Sequence, residues 1–184
     1  GNIQYLWDSN GNRTKKQIIG DGSTTFLYDY ENRLTKLNNG VTLTYTYNGD
    51  GERFSTYDGT TTSKLVYDRI VGAAGADPTL AETDTDGATT ALYTHGLGLV
   101  SETRSGATSW YHFEGAGTAR QLTNSSQTAT DTYTFDTWGN LLASSGSTVN
   151  PFRFAGQENR YTDTQSGLLE RGAQNGLENL RWLN

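Results

Sequence analysis

Apolar and polar positions alternate along most of this chain. In Thr42-Leu43-Thr44-Tyr45-Thr46-Tyr47 the two tyrosines share one side of an extended strand, while Thr44 and Thr46 point to the other. Aromatic and β-branched residues suit a pleated, half-buried surface. The alternating runs end at pairs such as Asn10-Gly11, Asn39-Gly40, Asp58-Gly59 and Asp86-Gly87, and at Asn48-Gly49-Asp50-Gly51. These residues supply the positive φ angles of a tight hairpin. The pattern predicts an all-β protein of antiparallel hairpins with little helix. A weak three-to-four spacing of leucines from Gly172 to Leu183 marks the expected helical exception.

The hairpins repeat. Tyr5-Leu6-Trp7-Asp8 returns as Phe26-Leu27-Tyr28-Asp29, as Tyr45-Thr46-Tyr47-Asn48, more weakly as Leu65-Val66-Tyr67-Asp68, and late as Tyr133-Thr134-Phe135-Asp136. Asp8 and Asp29 are 21 residues apart, and Asp29 and Asn48 are 19 apart. A period near 20 with one strand–turn–strand unit per repeat indicates a stacked array. Lone hairpins are marginal in water, so stacking must bury an aromatic ladder. Tyr5, Tyr28, Tyr47, Tyr67, Tyr111, Tyr133 and Phe135 are its expected members, and Asp8, Asp29, Asp68 and Asp136 its turn residues. Residues 1–184 read as a single array, with a small-residue loop near 71–79 and a divergent segment over 167–184.

Composition refines the picture. Twenty-two glycines, two prolines and eleven tyrosines suit hairpins, and a hydrophobic fraction of 33% requires an interior built partly from Tyr, Trp and Thr. A net charge of −6, with no Lys/Arg cluster larger than Arg13-Thr14-Lys15-Lys16, argues against nucleic-acid binding. No apolar run is long enough to span a membrane. The chain opens at Gly1 without a methionine or leader-like segment, so a processed product or a piece of a longer protein is expected.

Four ordered motifs in the second half carry a family resemblance. They are Trp110-Tyr111-His112-Phe113-Glu114-Gly115 with Arg120-Gln121-Leu122-Thr123, then Tyr133 to Leu142, then Asn150-Pro151-Phe152-Arg153-Phe154-Ala155-Gly156-Gln157, then Asp163-Thr164-Gln165-Ser166-Gly167-Leu168. With the tyrosine–aspartate units, the chain resembles the bacterial RHS/YD-repeat family over nearly its whole length. The resemblance implies a curved β-sheet ribbon or partial shell that encloses a toxin domain, and an extracellular or cell-surface location. The C-terminus departs from that family: Gly167-Leu168-Leu169-Glu170-Arg171 lacks its tyrosine pair and aspartate–proline, which puts self-cleavage and toxicity in doubt.

Catalytic chemistry is thinly represented. There is no cysteine, which excludes thiol chemistry and sulfur-ligated metals. His95 and His112 lie outside any hydrolase or metalloprotease motif, and His112 reads as a structural hydrogen bonder. The oxygen-rich turns do not match a calcium loop. No cofactor or metal ligand is expected. The reading at this level is a non-enzymatic structural protein that pairs head to tail with other copies of itself into a fibre or tube. Its pairing edges would include Ile3, Tyr5 and Trp7 at one end and Phe152 and Phe154 at the other. The alternatives are a glycan-binding or adhesive module, with Trp110 and Trp138 as stacking candidates, and a truncated toxin-encapsulating shell fragment.

Overall fold

The computed structural model describes residues 2–68 and 77–170. Among these residues the chain forms one open antiparallel sheet whose strands lie side by side in sequence order. The first half supplies β1 (Ile3–Trp7), β2 (Arg13–Ile18), β3 (Ser23–Tyr28), β4 (Leu34–Asn38), β5 (Thr42–Tyr47), β6 (Arg53–Tyr57) and β7 (Thr62–Tyr67). The second supplies β8 (Thr79–Thr83), β9 (Thr89–His95), β10 (Leu99–Arg104), β11 (Ala107–Phe113), β12 (Ala119–Thr123), β13 (Ala129–Phe135) and β14 (Leu141–Ser145). The all-β antiparallel expectation holds, and the described helical content is a single 3-10 turn, Gly156–Glu158. The helix expected over Gly172–Leu183 and most of the loop near 71–79 fall outside the described residues.

One turn is used over and over. The Asp8 amide donates to the Asn12 carbonyl, and the Gly11 amide donates back to the Asp8 carbonyl. Asp8 Oδ1 accepts the amides of Asn10 and Asn12 at 3.0 and 2.8 Å. The same bonds recur at Asp29, Asn48, Asp84, Asn124 and Asp136. A carboxylate or amide oxygen there replaces the water that would otherwise solvate two turn amides. The fourth turn residue is left-handed in each case, whether Gly11, Asn32, Gly51, Gly87, Gln127 or Gly139.

The strand register slips at these turns. Trp7 pairs with Arg13, Tyr28 with Leu34, Tyr47 with Arg53 and Phe135 with Leu141, each across a bulge. Each bulge skips one residue and re-aims the second aromatic of the repeat. That aromatic then reaches back to the preceding hairpin. The hydroxyls of Tyr28, Tyr47 and Tyr67 donate to the carbonyls of Arg13, Leu34 and Arg53 at 3.1, 2.7 and 2.8 Å. His95 places Nε2 2.9 Å from the Thr79 carbonyl in the equivalent position. Successive hairpins are thus joined by side chains as well as by the backbone ladder.

The buried face holds two apolar clusters. Phe26, Leu34, Leu37, Leu43 and Tyr45 form the first, beneath β3–β5. Ala91, Tyr93, Leu99, Tyr111, Ala119, Leu122, Tyr133 and Phe152 form the second, beneath β9–β13. Phe152 does not belong to a strand. It comes from the segment after β14, which turns back over the sheet.

Candidate functional site

The returning segment, residues 146–170, is a strap across the sheet. Its course is set by local chemistry. Gly146 has a φ of 87° and passes so close to Asp131 that no Cβ could be accommodated. Asp131, 1% exposed, accepts the Thr148 amide at 2.9 Å and the Thr148 hydroxyl at 2.6 Å. Asn150 Oδ1 then accepts the Phe152 amide at 2.8 Å, across a proline that has no donor of its own. Phe152 is completely buried. Its ring meets Tyr93 edge-on at 4.9 Å and Tyr161 edge-on at 5.5 Å.

Beyond Phe152 the strap is stitched to successive strands. The Ala119 amide donates to the Arg153 carbonyl at 2.8 Å, and the Gln157 amide to the Gly117 carbonyl at 3.1 Å. Asn159 accepts the Thr79 amide at 3.1 Å and donates to the Asp77 carbonyl at 2.7 Å. Asp163 reaches Arg53 on β6, and Leu168 packs on the first apolar cluster. The strap therefore runs from β13 back to β5 and covers both clusters.

Two arginines sit under it. Arg53 is 5% exposed; Nη1 lies 3.1 Å from Asp163 and Nη2 2.9 Å from Glu170. Its guanidinium also stacks 4.8 Å over the Tyr161 ring. Burial alone would lower its pKa, but the Glu170 and Asp163 charges outweigh that and raise it. Burial in turn raises the Glu170 carboxyl above its ordinary value. Arg104 on β10 contacts Glu82 at 3.0 Å, and Glu82 also accepts the hydroxyls of Tyr93 at 2.6 Å and Tyr161 at 3.1 Å. Glu102, 1% exposed, lies 3.9 Å from Arg104, and burial pushes its carboxyl up to about 7. Four carboxylates thus share two arginines. A polar cleft of about 120 Å³, lined in part by Arg53, Asp58, Glu82, Tyr161, Asp163 and Gln165, opens beside the first pair. Among the described residues no group of three or more His, Cys, Asp or Glu converges as a metal site.

Residues singled out from the sequence fall in several places. Tyr111 and Tyr133 are buried, whereas Tyr5, Tyr28, Tyr47, Tyr67 and Phe135 are half-buried. Asp8, Asp29 and Asp136 accept turn amides, and side-chain bonds from Asn12 and Asn140 hold Asp8 and Asp136 below the usual carboxylate range. The Asp68 amide donates to the Pro78 carbonyl. Ile3 and Trp7 are exposed on β1. Phe152 and Phe154 were expected on an edge strand; they lie outside any strand, because Asn150 and Pro151 turn the chain inward, and Phe154 packs on Phe135 at 5.7 Å. Among the described residues the last strand is β14 instead. Trp110 is half-buried in β11, and Trp138 is 74% exposed in a turn. His112 places Nε2 3.0 Å from the Thr123 hydroxyl.

The role of the residues that tie the strap down was not foreseen: Arg53, Glu82, Glu102, Arg104 and Tyr161 were not singled out, and Asn150 and Asp163 entered only as members of the resemblance motifs. One cue existed. Glu102 and Arg104 stand two apart in a strand-like run, which is a charge pair on one face.

The sheet is an RHS-like β-fold. Its arrangement is similar to that in a crystal structure of TcdB2-TccC3-TEV, at 13% identity and a TM-score of 0.54, covering 92% of this chain and 11% of that one. It is also similar to the Photorhabdus luminescens Tc holotoxin pore with mutated TccC3, at 13% identity and a TM-score of 0.56, with the same coverage. In sequence, the chain is 32% identical over 172 residues to the tRNA3(Ser)-specific nuclease WapA of Bacillus spizizenii. It is 31% identical over 174 residues to the tRNA(Glu)-specific nuclease WapA of Bacillus subtilis subsp. natto. Each match takes in 88% of this chain, which spans 7% of the length of either relative. No family model matches the chain.

These matches overturn the expectation of a non-enzymatic, self-assembling structural protein. The proteins with which the chain aligns along 88% of its length are named as nucleases, that is, as enzymes. The fibre reading rested on unpaired terminal strands. In chains of which this stretch is 7%, there is ample further sequence to cover such edges from within.

Proposed function

We propose that this chain is a stretch of the sheet of a WapA-like RHS/YD-repeat toxin, and that the whole protein cleaves tRNA. The observation that carries this reading is the 32% identity to a tRNA-specific nuclease along 88% of the chain. The hairpin array suits such a role. Each hairpin adds to its neighbour through backbone pairing, a bulge and a tyrosine staple, so the sheet can be long without a deep core. The strap closes the buried face where apolar residues would otherwise meet water. The protein works outside the cell that makes it or at that cell's surface, in keeping with the family resemblance. Among the described residues no helix is long and apolar enough to cross a membrane.

The test incubates the full-length protein containing this stretch with total cellular tRNA and resolves the products on a denaturing gel. Discrete tRNA fragments are expected. Intact tRNA at high enzyme concentration, with a folded protein confirmed by circular dichroism, would overturn the nuclease reading. Limited proteolysis of the same protein addresses the sheet: resistance within residues 3–68 and 77–168 is expected, and early cleavage within the strap would count against it.

A further inference from the structure

The Tyr111 hydroxyl stands between two acceptors but has a single proton to give. It is 3.2 Å from Glu102 Oε2 on the sheet and 3.0 Å from Asn150 Oδ1 on the strap. All three side chains are buried. We propose that Glu102 is a proton-operated latch for the strap: its protonation state decides whether Tyr111 bonds the strap or the sheet.

The proton count gives the two states. When Glu102 carries its proton, the acid donates to the Tyr111 oxygen, and Tyr111 donates onward to Asn150. The strap is then tied to β11 at the turn that seats Phe152, because Asn150 Oδ1 also accepts the Phe152 amide. When Glu102 is ionised, the carboxylate can only accept. It accepts a hydrogen bond from the Tyr111 hydroxyl, a charge-assisted bond that outcompetes the amide oxygen. Asn150 Oδ1 then faces a phenol oxygen with no hydrogen between them, and the strap loses a buried bond.

The surroundings favour the proton. Glu102 Oε1 is buried without a hydrogen-bond partner. An ionised carboxylate with one oxygen unserved in a buried setting is costly. The charged and titratable groups facing it are Arg104 on its own strand, Glu82 on β8, Tyr93 on β9, Tyr111 on β11, Asp131 and Tyr133 on β13, and Tyr161 on the strap. Arg104 is the cation of this set and is committed to Glu82 at 3.0 Å, against 3.9 Å to Glu102. Glu82 and Asp131 repel a charge on Glu102. Because the folded state raises this acid to about 7, its contribution is complete below the ordinary glutamate range. It is lost as the pH rises through about 7. Acid locks the strap and alkali loosens it.

Amide hydrogen exchange on the 184-residue chain tests the latch, with rates converted to protection factors to remove intrinsic pH effects. Protection of the Phe152 and Gln157 amides is expected to fall about tenfold or more between about pH 5.5 and about pH 8.5. In E102Q the side-chain amide donates to Tyr111 permanently. Protection should stay flat across that range, at the acid level of the unmodified protein. In Y111F it should be low and flat. A purely structural role for Glu102 would instead lower protection in E102Q at every pH. Flat protection in the unmodified chain, or an E102Q profile as steep as the original, overturns the proposal; the latter would place the titration on another group. If E102Q does not fold, Y111F decides alone, and a persisting pH slope there sinks the latch.

Discussion

The two halves of the sheet solve one problem in different ways. In β1–β7 each hairpin is secured mainly by its neighbours, and the far end of the strap adds to this only at Arg53 and the first cluster. The tyrosine staples, the capped turns and a compact Leu/Phe cluster all act over about one repeat. In β8–β14 the second aromatic of the repeat is often phenylalanine, as in Phe113 and Phe135, which has no hydroxyl to donate. What the second half lacks in staples it recovers from the strap, which brings Phe152, Tyr161 and Asn150 against β6, β8, β9 and β11. The comparison teaches that a repeat array can trade many local fasteners for a single long-range one. The long-range fastener concentrates stability, and vulnerability, in a few side chains.

Four measurements can break or sharpen that contrast. Phe152→Ala removes a fully buried ring held edge-on by two tyrosines, and a loss of about 3–5 kcal/mol in urea unfolding is expected. Amide protection should drop most in β9–β13. A uniform drop across both halves would mean the strap stabilises the whole sheet rather than its second half. Gly146→Ala forces a Cβ onto Asp131 at a positive φ, and should cost about 1–3 kcal/mol. An effect near zero would show that the strap can re-route around β13.

Tyr47→Phe deletes one staple while keeping the ring. A loss of about 1 kcal/mol is expected, the net value of a single hydrogen bond. A loss as large as that of Phe152→Ala would erase the distinction between local and long-range fastening. Trp138→Ala truncates an exposed turn residue whose backbone alone is engaged. Its unfolding free energy should be indistinguishable from that of the parent, within about 0.5 kcal/mol. A clear loss would reveal a packing partner for that ring.

The sheet was readable because its rules are local. A two-residue alternation ending in Asp-x-x-Gly or Asn-x-x-Gly specifies strand, turn and bulge within about ten residues, and the hairpins could be drawn from Tyr45 to Glu52 alone. The strap was not readable, because Asn150-Pro151-Phe152-Arg153-Phe154 is as apolar and aromatic as a strand. Its inward course depends on Asp131 and Tyr111, which lie 17 and 39 residues from Thr148 and Asn150. Arg53 was hidden for the same reason. In sequence it is one more turn arginine after Gly49-Asp50-Gly51-Glu52, and its carboxylate partner Asp163 lies 110 residues away. The aromatic ladder was foreseen only as burial; that Tyr28, Tyr47 and Tyr67 are half-buried hydrogen-bond donors depends on the bulges that turn them.

The repeated turn with its bulge has a consequence for how such a chain can change over generations. Each unit carries a bulge of the same kind at the same place, so successive units share one side-chain phase. A whole unit can therefore be duplicated or deleted at the gene level without turning any other unit inside out. Indels of one residue within a strand would invert everything up to the next turn. Growth by copying whole hairpins, and intolerance of single-residue slips, is the mutational signature this architecture should leave.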